Sequence, residues 1–436
     1  MDCGGDAPHR LLCEEKKMEI FKEAQRNFDY MVRIRRHMHE YPEMTGQEFE
    51  TLEFIKKELD ALGIEYVEVP DGGIVGQIHG GKPGKTVLMR ADMDALPIQE
   101  NTKNLCCDKL CVSKNDGISH ACGHDSHTAM LLGEAKILNE HKDELNGNIV
   151  LCFERGEEGG GQIANLLPYI VETMKLPIDT CIATHVKWDV PAGQVSAEPG
   201  AVFSGGYGFA IRLKGLAGHG SRPDLAHSVL DCFNSIYNHM NMIRMKYVSP
   251  TDILTFSVGS VHCGTAMNIV PDELVFDGTI RTFNVAGAGA SFMKQFKEVL
   301  EAECKLNQCT YEIISMKDPL FENYNNETCS EIARNAVKKY MGEEALAKAQ
   351  PWMACESMQA YLKYWPGVIT FTGIQNPEMG TGANHHTPEF DLDEKGMIYG
   401  AAAAIGYVVD FLNYEGEIPF TPYKGNIREL AARNIK

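Results

Sequence analysis

Between about residues 203 and 316 the hydrophobic pattern runs strand, helix, strand, strand, helix, strand, and few architectures accommodate that order. "YGFAIRLKG" alternates as a half-buried strand and "HSVLDCFNSIYNHMNMI" is apolar at helical spacing. "DILTFSVGSVHCG" and "DELVFDGTIRTFN" are two further strands, "SFMKQFKEVLEAECKLN" is a second helix, and "CTYEIISMK" is a last strand. A βαββαβ order closes as a compact ferredoxin-like α+β unit. On either side of it strands alternate with helices: "IEYVEV", "IVGQIHG", "KTVLMRADMDA" and "GNIVLCFE" before, "GVITFTG" and a closing helix after. That pattern predicts an α/β layer with a mostly parallel sheet. The expected molecule is therefore a discontinuous α/β domain, residues 1–202 and 317–436, interrupted by an inserted unit at 203–316. A chain of 436 residues is long enough for two cores.

Residues 17–41 carry Ile20, Phe21, Ala24, Phe28, Met31 and Ile34 at helical spacing, with Pro42 as the stop. "GQEFETLEFIKKELDALG" repeats the pattern and ends with Gly63 in a C-cap position. The opening "MDCGGDAPHRLLCEEKKMEIFKE" has no long apolar run, so it reads as neither signal peptide nor anchor. "MIYGAAAAIGYVVDFL" is interrupted by Gly400, Gly406 and Asp410 and is too short for a membrane span. A cytoplasmic protein is expected, with its fourteen cysteines reduced and thiolate ligation open to them. The net charge of −19 repels phosphate backbones and anionic lipid, which argues against nucleic acid or a membrane surface as partner.

Polar clusters fall at expected element ends: "RADMDALP" (90–97), "HACGHD" (120–125), "ERGEEGGG" (154–161), "THVKWD" (184–189) and "NHHTPEF" (384–390). Sheets of this class place their sites at such ends. Cys122 and His124 are two residues apart, a spacing that a loop can turn onto one ion. A thiolate, imidazoles and carboxylates suit zinc or a similar first-row metal better than magnesium or calcium. Adjacent carboxylates at Glu157 and Glu158 point in different directions, so one can hold metal while its neighbour faces water. Taken singly, each of these features is more often a core thiol, a solvated histidine or a solvated acid pair. Their company is what gives them weight.

Taken in order, "IRRHMHEYPEMTGQE", "RADMDALPIQE", "HACGHDSHTAMLLGEAKIL", the pair at 157–158, "GHGSRP", "NIVPDE", "GTIRTF" and "HHTPEFDLDE" span residues 32 to 396. In these the chain resembles the amidohydrolase branch of the M20 metallopeptidase family, which includes aminoacylases, hippurate hydrolases and auxin-conjugate hydrolases. The resemblance implies that Cys122, His124, Glu158, His185 and His386 ligate two divalent ions, whether zinc, manganese, cobalt or nickel. Cys122 then stands where the peptidase branch bridges its ions with an aspartate. Glu157 becomes the general base, and His386 is preferred over His385 as ligand. His120 and His127 are expected to be structural, and Asp94 to orient a ligand; Asp92 is left open. From the inserted domain, taken as the lid and dimerisation unit, His219 is implied to reach the oxyanion of a neighbouring subunit. Asn268 is a second oxyanion contact, and Arg281 a clamp for a substrate carboxylate.

The activity so implied is hydrolysis of an N-acyl or N-aroyl amino acid to a carboxylic acid and a free amino acid, by a homodimer or higher homo-oligomer. A dipeptidase or aminopeptidase of the same family, or a binding protein that has kept only the fold, are the alternatives. The chain departs from its branch in two places. "CFERGEEGGGQ" replaces a common Gln-Pro-Ala approach to the carboxylate pair, and "NLCCDKLCVSKNDGIS" adds Cys106, Cys107 and Cys111 just before the metal motif.

Overall fold

A computed structural model describes residues 18–159 and 161–433. The reading of the first seventeen residues, and Gly160 of the acid loop, lie outside the described residues. Helices α1 (Ile20–Arg26), α2 (Phe28–Glu40) and α3 (Phe49–Leu62) come first. The single helix expected over 17–41 is thus two, because Asn27 turns its side chain back onto the Glu23 carbonyl at 2.9 Å and competes with the helical ladder. Gly63 ends α3 in the left-handed conformation, φ 65°.

Strands β1 (Glu65–Val69), β2 (Gly73–His79) and β3 (Lys82–Asp92) lead to α4 (His124–Glu140), β4 (Asn146–Glu154), α5 (Ile163–Pro168), β5 (Thr180–Pro191), β6 (Val195–Ser196) and β7 (Gly200–Phe203). The inserted segment supplies β8 (Gly205–Lys214), β9 (Gly218–His219), α6 (Val229–Tyr247), β10 (Leu254–Cys263), β11 (Ile269–Val270), β12 (Glu273–Thr282), α7 (Ala290–Leu306) and β13 (Thr310–Met316). The chain closes with β14 (Asn323–Asn325), α8 (Glu327–Met341), α9 (Gln359–Tyr364), β15 (Gly367–Gln375), α10 (Gly396–Leu412) and α11 (Ile427–Ala432).

The large sheet has the order β1-β2-β4-β3-β5-β15-β6. Its four central strands, β4, β3, β5 and β15, are parallel, and antiparallel strands flank them at both edges. Alternate residues of one strand enter opposite cores: Val87 and Met89 pack with α2, α4 and α10, whereas Leu88 packs with α5, α9 and α11. Helices on both faces bury the central strands almost completely, which explains their continuous apolar runs. The alanine-rich α10 is one of those covering helices, and no described helix is long and apolar enough to cross a membrane.

In the inserted segment the sheet order is β10-β12-β8-β13, antiparallel throughout, with α6 and α7 packed on a core of their own. That is the ferredoxin-like arrangement the βαββαβ order predicts.

Candidate metal centre and active site

The C-terminal ends of β3 and β4 lie in register, Asp92 opposite Glu154. β3 pairs with β5 only as far as Ala183, so β5 runs on past its neighbour. His185 therefore sits within β5 rather than at its end, and faces the space where β3 has stopped. Between β3 and β4 the chain enters α4 through Gly123, φ 88°, where an added Cβ would stand 2.5 Å from Val186. Only glycine makes that turn, and it sets Cys122 and His124 on either side of it.

Four overlapping groups of ligand atoms result: Cys122, His124 and His185; Cys122, Glu158 and His386; His124, Glu157 and Glu158; and Asp92, His124 and His127. Cys122 Sγ lies 3.7 Å from His185 Nε2. His386 Nε2 is 3.1 Å and His124 Nε2 3.9 Å from Glu158 Oε1. His386 holds a left-handed backbone, φ 61°, which is unusual for a non-glycine residue and typical of functional sites. His385 is instead wedged among the rings of His185, Trp188, Trp352 and Phe390.

Asp94 orients two members at once. Its Oδ1 accepts from His124 Nδ1 at 3.0 Å, and its Oδ2 accepts the Glu158 backbone N–H at 2.9 Å and the Thr45 hydroxyl at 2.6 Å. His127 has both ring nitrogens engaged: Nε2 accepts the Val186 N–H at 2.9 Å, so Nδ1 donates to Asp92 at 2.6 Å. The other oxygen of Asp92 takes Arg90 Nη1 at 2.8 Å. Asp92 and His127 thus brace the site, leaving the remaining imidazoles and acids to face its centre. His120 is buried, and burial lowers its pKa to about 4, which keeps it neutral.

Burial, and then Glu158, push the Cys122 thiol well above its ordinary value. Burial followed by the Glu356 and Glu158 carboxylates does the same to Glu157. Burial depresses His185 far below its usual range, leaving it a neutral donor. The Nε2 of His124 is buried without a hydrogen-bond partner. Against its burial, the charges of Asp92 and Cys122 hold the His124 imidazole well above its ordinary value. A buried cluster of carboxylates, one thiol and imidazoles is a donor set that divalent ions satisfy. The 3.7 Å between Cys122 Sγ and His185 Nε2 suits sulfur and nitrogen donors bonded to one ion at about 2.3 and 2.0 Å. The residues present fit a metal pair.

Glu157 Oε1 accepts the Ser357 backbone N–H at 2.9 Å. Behind it Arg90 is buried against three carboxylates, Asp92, Glu154 and Glu356, at 2.8 to 3.1 Å. Glu154 also accepts from Ser357 Oγ and the Tyr361 hydroxyl. The unusual "ERG" approach has its account here: Glu154 joins this network, and Arg155 bonds Glu48 at 3.0 Å and the Gly46 carbonyl at 2.9 Å. Sequence reasoning passed over Glu356, Ser357 and the paired rings of Trp188 and Trp352, 5.1 Å apart beside His185 and His385. Trp188 lies inside the "THVKWD" cluster, but no local motif marks Glu356, Ser357 or Trp352.

In the inserted segment β9 pairs with β11 as a separate two-stranded sheet, which brings His219 opposite Ile269 and sets Gly220 N on the Asn268 carbonyl at 2.8 Å. His219 is exposed, and its Nδ1 accepts from Ser221 Oγ at 2.7 Å. Arg281 lies on β12 opposite Gly206, half-buried, and none of the described carboxylates pairs with it. His219 and Asn268 are thus brought together on the inserted domain.

The signature of peptidase family M20/M25/M40 matches residues 88–409. The chain is 33% identical over 394 residues to thermostable carboxypeptidase 1 of Saccharolobus solfataricus, covering 88% of this chain and 96% of that one. It is likewise 33% identical to IAA-amino acid hydrolase ILR1-like 4 of Arabidopsis thaliana, over 87% and 85% of the two chains. A crystal structure of a dinuclear metal-binding M20 peptidase from Bacillus subtilis superposes with a TM-score of 0.75 at 27% identity, covering 89% and 99%.

Proposed function

The chain belongs to peptidase family M20/M25/M40, and on that premise we propose that it is a metal-dependent amidohydrolase releasing a free amino acid from an N-acyl or N-aroyl amino acid. The observation that carries the reading is the half-buried Glu157 carboxyl, held by the Ser357 N–H beside a donor set that suits two metals. Cys122, His124, Glu158, His185 and His386 would hold the ions. Zinc, manganese, cobalt and nickel all accept such donors. A bound pair of divalent ions supplies Lewis acidity, drawing the pKa of water from 15.7 toward about 7 and polarising the amide carbonyl.

The protein's own groups do the rest. Glu157 takes the proton of the attacking water and returns it to the departing nitrogen. Asp94 fixes His124 and the Glu158 backbone in place. His219 and Asn268 serve the oxyanion from a second subunit, and Arg281 takes the carboxylate of the amino-acid product. A partner copy is part of this reading: β10 is an edge strand, and α6 exposes Tyr237, Met242 and Met245. The cytoplasm is its proposed compartment.

A carboxypeptidase and an IAA-amino acid hydrolase among the relatives share one demand, a scissile amide on the nitrogen of an amino acid with a free carboxylate. N-acyl amino acids meet it. The test is release of amino acid from N-acetyl, N-benzoyl and longer N-acyl amino acids with zinc, manganese or cobalt supplied. Wild type is expected to be active and chelator-sensitive, and Glu157→Gln to lose about 10²- to 10⁴-fold in kcat with metal still bound. Preference for substrates with a free α-amine would replace this reading with an aminopeptidase or dipeptidase.

A further inference from the structure

The loop before the metal motif carries two adjacent thiols that the reaction does not use. Cys106 Sγ and Cys107 Sγ lie 3.3 Å apart, with Cys106 exposed and Cys107 half-buried. Their closeness is built in. Asn104 Oδ1 accepts both the Cys106 N–H at 3.2 Å and the Cys107 N–H at 2.8 Å, and Asn104 N donates to the Cys107 carbonyl at 3.0 Å. This closed turn holds both side chains toward the turn at Pro377–Met379, whose Pro377 and Glu378 carbonyls stand 3.8 and 3.9 Å from the two sulfurs. Asn104 Nδ2 anchors the loop to the Met379 carbonyl and to Asp391. A cavity of about 240 Å³ adjoins Cys107, with Asp391, Glu394 and Met379 in its wall.

Two fates are open to such a pair, and geometry separates them. Adjacent Cα atoms across a trans peptide are about 3.8 Å apart, below the roughly 4.4–6.8 Å that a disulfide spans, so oxidation would strain the turn. Chelation asks for no movement: at about 2.3 Å per metal–sulfur bond, sulfurs 3.3 Å apart subtend about 90° at one ion. We propose that Cys106 and Cys107 form a preorganised dithiol site for soft, thiophilic ligands, of which trivalent arsenicals are the class that fits a two-sulfur bite. Soft thiolates select soft ions. In the binding step two As–S bonds form, the single oxygen of an arsenic(III) oxide R–As=O leaves as one water with the two thiol protons, and arsenic stays trivalent, so nothing is oxidised or reduced. Cys111 is no part of the site, being buried with its thiol on the Arg36 carbonyl at 3.5 Å.

The probe is phenylarsine oxide, added to the metal-loaded full chain and followed by native mass spectrometry and peptide mapping. Wild type is expected to hold one equivalent against excess glutathione and to surrender it to 2,3-dimercaptopropanol. Cys106→Ser and Cys107→Ser should each weaken retention by about 10²-fold or more, since the second bond is intramolecular. Both positions are at the surface, and unchanged turnover by each variant before the probe is added shows that it has folded. The proposal fails if glutathione strips the wild-type adduct as readily as the variants'. It fails equally if the double variant keeps its equivalent, for then the arsenical sits elsewhere, as at the buried Cys232 and Cys304, 3.8 Å apart.

Discussion

Asp94 is the residue on which most of the metal centre turns. One oxygen sets the tautomer and angle of His124, and the other fixes the peptide that carries Glu158. Supporting partners of this kind commonly contribute 10- to 100-fold in metal affinity. Asn at this position keeps one carbonyl oxygen for His124 but turns an amide N–H toward the Glu158 N–H. Asp94→Asn is therefore expected to bind metal about 10- to 100-fold more weakly while folding normally, as read by competition with a chromophoric chelator. Unchanged affinity would mean that Asp94 only fills space. The sequence offered Asp94 for this role through the family resemblance and the habit of ligating imidazoles to donate their other N–H to an acid, not through spacing. The grip of Arg90 on three carboxylates was not legible, since Glu154 and Glu356 reach it from positions 64 and 266 residues further along the chain.

Elements are held around the site by a buried ionic chain. Arg35 of α2 bonds Asp125 in the first turn of α4 at 2.9 Å, and His39 bridges Asp125 and Glu100. Lys109 closes on Glu100 at 2.8 Å and reaches the Pro388 and Phe390 carbonyls beyond His386. Burial works to raise the Glu100 pKa, but the His39 and Lys109 hydrogen bonds hold it down at about 2, against an ordinary 4.5. A depressed carboxyl stabilises the fold above its unfolded value, and that stability drains away as pH falls from about 4.5 toward about 2. At 1.36 kcal/mol per unit the shift corresponds to at most about 3 kcal/mol, and about 2 kcal/mol after allowance for solvent. Glu100→Gln should thus be less stable by about 2 kcal/mol in urea at pH 7, with the gap to wild type narrowing below pH 4.5. A gap independent of pH would assign the loss to packing. Strands and helices were readable from hydrophobic period alone, as with β3 and α6. The break at Asn27 and the overrun of β5 past β3 were not, for each depends on a side chain or a neighbour that periodicity does not encode.

For the whole molecule the question is whether an active site is complete within one chain. Glu157 and the ligand cluster gather where β3 and β4 end and β5 runs on, whereas His219 lies on β9 and Asn268 just before β11 of the inserted domain. If the two sets meet only across a dimer, two separately dead variants can repair each other. His219→Ala lacks the oxyanion donor it would lend, and Glu157→Gln lacks its base. A mixed dimer has one site with both defects and one with neither. Random exchange at equal concentrations makes half the dimers mixed, so about a quarter of all sites should be intact. Activity is expected to climb from near zero to about a quarter of wild type when the two variants are unfolded together, refolded and reloaded with metal. Mixing that restores nothing, while each variant remains dimeric in sedimentation, would place His219 in the service of its own chain. The sequence could name the histidine, but its place on the β9–β11 pair, outside the large sheet that carries the ligand cluster, is what raises the question of whose site it serves.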